Sequence, residues 1–167
     1  SDNEFDDEDR SLIRVKHQRS FAGRGRFSLD YNRVSDKQYF EDFGSSLGIT
    51  STRFLPQRGD ISYSGSLYGG NWWSGSVRLE NYQVVDQTIA TTDRPYKRLP
   101  QFNVSAGSSR SSNKFIYNLR SEFTSFDRGD DDSVTADNVT EARMDLLPSI
   151  SYPYRTASTF ITPKLGL

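Results

Sequence analysis

The sequence predicts an all-β fold: an antiparallel up-and-down meander of about eight strands, shaped as a curved section of a large transmembrane β-barrel. Three observations carry this. Apolar and polar residues alternate in stretch after stretch, as in Phe27, Leu29 and Tyr31 against Ser28, Asp30 and Asn32. That period of two makes a ribbon with one apolar and one wet face. Connectors alternate short and long, as the two rims of a barrel wall require. Aromatic residues are plentiful, with 9 Tyr, 11 Phe and 2 Trp, while all apolar residues together reach only 34%. Such a balance suits rings lying between an apolar and a wet phase.

Strands are expected at 10–21, 26–35, 49–68, 72–87, 100–109, 113–128, 138–152 and 157–167. Short turns fall at Ala22-Gly23-Arg24-Gly25, Gly69-Gly70-Asn71, Arg110-Ser111-Ser112 and Pro153-Tyr154-Arg155, where Gly, Asn, Ser and Pro supply turn conformations. Longer connectors run 36–48, 88–99 and 129–137. The third strand sets Ile61, Tyr63 and Leu67 against Ser62, Ser64 and Ser66. The sixth sets Phe115, Tyr117, Leu119 and Phe123 against Asn118, Arg120, Glu122 and Thr124. The seventh sets Ala142, Met144, Leu146, Pro148, Ile150 and Tyr152 against Glu141, Arg143, Asp145, Ser149 and Ser151.

Two irregularities are expected. The phase slips around Tyr82 to Val84, which suggests a bulge. The stretch from Ile49 to Tyr68 would reach roughly 65 Å at ~3.3 Å per residue, well beyond an apolar band ~25 Å tall. Either it projects from the membrane or Pro56, which cannot donate to a ladder, bends or breaks it. Trp72 and Trp73 adjoin a glycine turn, where an aromatic girdle should fall. A soluble carbohydrate-binding sandwich is the competing architecture, but Greek-key crossings would scramble the connector order.

The chain has 167 residues and a net charge of −1, so no global field recruits nucleic acid. Residues 1–9 are acidic and read as a flexible tail, leaving 10–167 as barrel wall. There is no cysteine, and no apolar run approaches the ~20 residues of a membrane helix. The chain opens on Ser1 and stops within a strand-like run. A piece of a longer protein is therefore expected.

Catalytic chemistry finds little footing. His17, the single histidine, sits in a basic strand and reads as a wall residue. Asp130 to Asp132 lack the closing Glu of a calcium loop. Ser111 and Lys114 match a serine–lysine spacing without its partner motifs. Arg58-Gly59-Asp60 reads as a chance tripeptide within a strand, and the sequons at Asn103 and Asn138 count only in a glycosylating pathway. No catalytic residue, metal site or cofactor is assigned.

A series of motifs gives a more specific reading: Leu29-Asp30-Tyr31-Asn32; Arg33-Val34-Ser35-Asp36-Lys37-Gln38-Tyr39-Phe40-Glu41-Asp42-Phe43-Gly44; Phe54-Leu55-Pro56-Gln57-Arg58-Gly59; Arg94-Pro95-Tyr96-Lys97-Arg98-Leu99-Pro100-Gln101; Phe126-Asp127-Arg128; and Thr162-Pro163-Lys164-Leu165. In this order the chain resembles, from Arg10 onward, the barrel domain of the LPS-assembly protein family LptD. The resemblance implies a large outer-membrane barrel of Gram-negative bacteria that, plugged by the lipoprotein LptE, delivers lipopolysaccharide to the outer leaflet. It marks Arg33, Ser35, Asp36, Tyr39, Phe40, Asp42, Pro56, Gln57, Arg58, Gly59, Pro95, Tyr96, Leu99, Pro100, Pro163 and Lys164 as family-motif residues. An early-to-middle part of the wall is expected, without the family's jelly roll, cysteines or end strands, so gating falls on no residue here. The remaining strands of the barrel and outer-membrane lipid complete the implied partners. A porin or autotransporter pore is the alternative barrel.

In that setting Ser28, Asp30, Asn32, Arg78, Glu80, Arg120, Glu122, Arg143 and Asp145 are expected to face the lumen, towards substrate or plug. A second reading makes the charged ones mutually neutralising pairs in a wet wall. Phe27, Leu29, Tyr31, Ile61, Tyr63, Val77, Leu79, Phe115, Leu119, Met144 and Ile150 would face lipid.

Overall fold

The structure is a computed structural model, and it describes residues 11–35, 53–86, 88–90, 93–108, 115–127 and 140–167. Seven strands follow in order: β1 Leu12–Phe21, β2 Gly25–Val34, β3 Phe54–Leu67, β4 Asn71–Val84, β5 Lys97–Ser108, β6 Ile116–Asp127 and β7 Thr140–Ser151. Then come three short ones, β8 Tyr154–Arg155, β9 Phe160–Ile161 and β10 Lys164–Gly166. One sheet holds β1-β2-β3-β4-β5-β6-β7-β10 in that order, and every described pairing is antiparallel. This is the expected meander, a curved section of barrel wall.

Turn chemistry explains the tight hairpins. Ala22 and Gly23 take φ of 49° and 68° between β1 and β2, and Gly69 and Gly70 take 76° and 78° between β3 and β4. Glycine reaches that left-handed region at no steric cost. Phe21 then pairs with Gly25, and Leu67 with Asn71, which fixes the face of every residue beyond.

Among the described residues the sheet has no second layer. Among the described residues only Val34, Leu55 and Val85 are buried hydrophobics, and they form one small cluster with Leu12 near the long-connector end. A soluble domain of this size needs a far larger core to offset chain entropy. The sandwich is thereby excluded.

Three expectations are corrected. The last strand does not run through 157–167: residues after Ser151 first form the β8–β9 hairpin, and only Lys164–Gly166 return to pair with β7. Pro163 has no N–H to continue a ladder, and its carbonyl accepts from the Tyr152 N–H at 3.1 Å as the chain re-enters. Pro56 neither breaks nor bulges β3, where it pairs in register with Tyr82. Its carbonyl, and with it the side lacking an N–H, points to β2. There main-chain pairing ends at Tyr31–Gln57, and the Asn32 carboxamide donates to the Pro56 carbonyl instead (3.0 Å). The phase slip around Tyr82 to Val84 is absent from the β3–β4 register, which runs unbroken to Val84.

The bulge lies in β5 instead. Arg78 pairs with Gln101 and Glu80 with Arg98, so three steps on β5 match two on β4, and β6 shows the same offset. The extra residue falls at Leu99-Pro100, a cis peptide. Without it, Arg98 and Gln101 would point to opposite faces; with it, both share the polar one.

Above the end of β2–β3 pairing, amide side chains replace main-chain bonds. Gln83 accepts from the Val34 N–H (2.9 Å) and donates to the Val34 carbonyl (2.8 Å). Asn81 donates to Gln57 at 3.1 Å, and Gln57 to the Asn32 carbonyl at 3.4 Å. A carboxamide carries the same donor and acceptor pair as a peptide, so it can stand in for a missing strand.

Candidate functional site: the polar face of the sheet

Directly paired residues of antiparallel strands lie on one face, so the registers define rows across the sheet. On one face Phe27, Ile61, Val77, Phe102, Phe123 and Met144 form a single row over six strands. Neighbouring rows add Leu29 and Leu79, Tyr63 and Val104, then Trp73, Ala106 and Leu119. Ile61, Phe102 and Met144 are 47%, 41% and 67% exposed. His17 belongs to this face, opposite Leu29, with its ring 6.1 Å from that of Phe27. Near the short turns the face turns aromatic. Tyr63 packs on Phe21 and Trp73 at 6.3 and 5.9 Å between ring centroids, and Phe115 on Tyr152 at 5.1 Å. Glycines make room for two of these rings: a Cβ at Gly25 would clash with Phe21, and one at Gly65 with Trp73.

The other face is a charge ladder. Lys16, Asp30, Arg58, Glu80 and Arg98 alternate in sign along one row over five strands. Lys16 pairs with Asp30 at 3.4 Å and Arg98 with Glu80 at 3.4 Å. In the next row Asp60 receives two guanidinium groups, Arg58 Nε at 2.7 Å and Arg78 Nε at 2.6 Å. Further along, the Glu122 carboxylate accepts from Gln101 Nε2 and Thr124 Oγ1, each at 3.0 Å. Arg143 pairs with Asp145 at 2.9 Å. Asn32, Glu80, Gln101 and Thr124 are buried here, at 7%, 7%, 8% and 1% exposure. Their crowding follows if this is the concave side of the curl, where side chains converge and neutralise one another.

All nine residues expected to face the lumen, Ser28, Asp30, Asn32, Arg78, Glu80, Arg120, Glu122, Arg143 and Asp145, share this face. Arg143 and Asp145 neutralise each other; Arg78 and Glu80 find other partners, and Arg120 has no carboxylate partner among the described residues. Sequence reasoning set Thr124 on the polar side of its strand but gave no site role to Asp60, the centre of the ladder, or to Arg98 and Gln101. Counting outward from the Gly69-Gly70 turn would have set Asp60 opposite Arg78.

Trp72 is a further correction. It lies on the polar face between Ser66 and Gly107, so only Trp73 joins the girdle. Of the motif residues, Arg33 is the penultimate residue of β2 and Ser35 accepts, through its hydroxyl, the Ser11 N–H at 2.8 Å. Pro56, Gln57, Arg58 and Gly59 form the upper part of β3, and Leu99 and Pro100 form the bulge. Pro95 and Tyr96 precede β5, with Tyr96 edge-on to Phe126 at 6.1 Å, and Pro163 and Lys164 lead into β10. Asp36, Tyr39, Phe40 and Asp42 lie outside the described residues, as do the acidic tail 1–9 and the Asp130 to Asp132 run.

A single-layer meander that is apolar and exposed on one face, crowded and polar on the other, and ringed by aromatics beside its tight turns defines the wall of an outer-membrane-type β-barrel. The family model described as "LPS transport system D" matches residues 8–167. LPS-assembly protein LptD of Nitrosococcus oceani is 37% identical over 161 residues, covering 96% of this chain and 20% of that protein. The namesake in Aromatoleum aromaticum is 34% identical over 160 residues, 96% of this chain and 19% of that protein, and the one in Hahella chejuensis 38% identical over 144 residues, 85% and 17%. The chain belongs to the LptD family, and it spans about a fifth of the length of the curated relatives it matches.

Proposed function

We propose that this chain is part of the wall of a Gram-negative outer-membrane barrel that assembles lipopolysaccharide (LPS) into the outer leaflet, a transport role rather than a catalytic one. The apolar row from Phe27 to Met144 faces acyl chains. The ladder from Lys16 to Arg98 and the nine residues on its face line the lumen, against LPS and an LptE-like lipoprotein plug. Short turns take the periplasmic rim and long connectors the outer one.

One observation carries this reading beyond family membership: the inversion of burial between the faces. Thr124 is 1% exposed while its neighbour Phe123 is 36% exposed. A protein folding in water buries the ring and exposes the hydroxyl; a wall between lipid and a wet lumen does the reverse.

The test is depletion of the full-length protein in growing cells, with complementation, reading LPS at the cell surface and co-purification of a small lipoprotein. The reading expects both to fall on depletion and return with the intact gene. Unchanged surface LPS in depleted cells would overturn it.

A further inference from the structure

Trp72 is out of place for a barrel wall. Its neighbour Trp73 looks to lipid, but Trp72 stands on the polar face, 40% exposed, in a row reading Ser66, Trp72, Gly107, Asn118, Ser149. Its indole reaches over β5 at Gly107: a Cβ there would sit 3.0 Å from Trp72 Cε2 and Cζ2 and 2.6 Å from the Asn118 Oδ1. Glycine at 107 leaves the room that the ring occupies, and 40% of the residue stays exposed.

The surroundings differ from the ladder higher up the same face. The adjoining row reads Ser64, Ser74, Ser105, Arg120, Leu147, and neither row contains a carboxylate. Two arginines neighbour Trp72 in the register of this face. Arg24 Nη1 donates to Ser66 Oγ at 3.0 Å, beside Trp72, and Arg120 follows Asn118 on the same face of β6. Neither arginine has an ion pair among the described residues, whereas Arg58, Arg78, Arg98 and Arg143 each have one.

We infer that Trp72 is the platform of a binding site for a phosphorylated saccharide, an inference that rests on the export reading and locates the sugar contact within it. The C–H bonds on a sugar ring's apolar face carry partial positive charge and sit well on the negative face of an indole. Asn118 and the serines offer both donors and acceptors to sugar hydroxyls. Two unpaired guanidinium groups, without a competing carboxylate, fit phosphate in a way that a balanced ladder cannot. A plug side chain could use the indole, but two neighbouring arginines without a carboxylate partner among the described residues favour an anionic ligand.

The test uses the full-length protein in growing cells, with a photoreactive benzophenone amino acid in place of Trp72 or, separately, of Ser62 on the same face. Adducts are probed for LPS and for the lipoprotein plug. Trp72 is expected to give an LPS adduct that retains sugar after mild acid has split polysaccharide from lipid, and that is lost when Arg24→Gln and Arg120→Gln are combined. A plug adduct, a lipid-only adduct or no adduct at 72, with LPS captured at 62, overturns the inference and leaves export standing. LPS capture at neither position overturns both. In parallel, at matched levels of folded barrel, Trp72→Ala should lower surface LPS and Trp72→Phe should lower it less; a Trp72→Ala protein indistinguishable from wild type overturns the platform.

Discussion

Phe123 and Thr124 are consecutive on β6, yet the ring is 36% exposed and the small hydroxyl 1%. The same contrast repeats across the sheet: Ile61, Val104 and Met144 stand at 47%, 46% and 67%, while Glu80 and Gln101 on the reverse side stand at 7% and 8%. On the proposed reading acyl chains meet the apolar face, and bilayer solvent rewards exposed apolar area, so no core is needed there. On the polar face side chains lose water to their neighbours and must satisfy one another, as the Arg58–Asp60–Arg78 bridge and the Glu122 acceptor do.

The largest expected effect of breaking this contrast comes from exchanging the faces at one step. Leu119→Arg puts a charge among acyl chains and should destabilise the full-length barrel by about 2–4 kcal/mol near mid-bilayer. Arg120→Leu, one residue on, should cost little. Heat-modifiable gel mobility and urea unfolding in liposomes would read the difference, and equal effects of the two substitutions would contradict the assignment of faces.

A smaller effect belongs to the ladder. Asp60→Asn leaves Arg58 and Arg78 side by side without their shared acceptor. For half-buried, partly screened groups the loss is about 1–2 kcal/mol, below the figure for a fully buried pair. Adding Arg58→Gln should recover part of it in a double-mutant cycle, because one of the two stranded cations is then gone.

Smaller again is the amide clamp. Gln83→Leu removes two bonds to Val34 and should cost about 1 kcal/mol. Its signature is local: faster hydrogen exchange at the Val34 amide, with the β3–β4 amides unchanged. Uniform exchange across both strands would show that the clamp does not hold the end of β2.

Much of this architecture is legible in the amino-acid sequence. Strict alternation in β2, β6 and β7 specifies strands and faces, because one residue of slip would move each apolar set to the other side. The charged residues of those strands follow directly. Legibility fails where a face depends on a register set elsewhere. Trp72 and Trp73 necessarily take opposite faces, and only the pairing Leu67–Asn71 decides that Trp72 takes the polar one. The alternation points to a bulge in the wrong strand because Leu99-Pro100 resembles a strand boundary, whereas β5 begins at Lys97 and carries Arg98 back to Glu80. Pro56 looks like a break because a proline's cost depends on which neighbour its missing N–H would have served, and here that neighbour supplies a side chain instead. The β8–β9 excursion leaves no trace in the alternation, since two-residue strands are too short to show a period.

Lipid must meet the face that carries Leu119 and Phe123, and spin-label accessibility along β6 tests that most directly. Single labels from Leu119 to Thr124 in the full-length barrel, reconstituted in liposomes, should alternate. Positions 119, 121 and 123 should respond to oxygen dissolved in the bilayer, and 120, 122 and 124 to a water-soluble nickel chelate. The reverse alternation, or none, would contradict it.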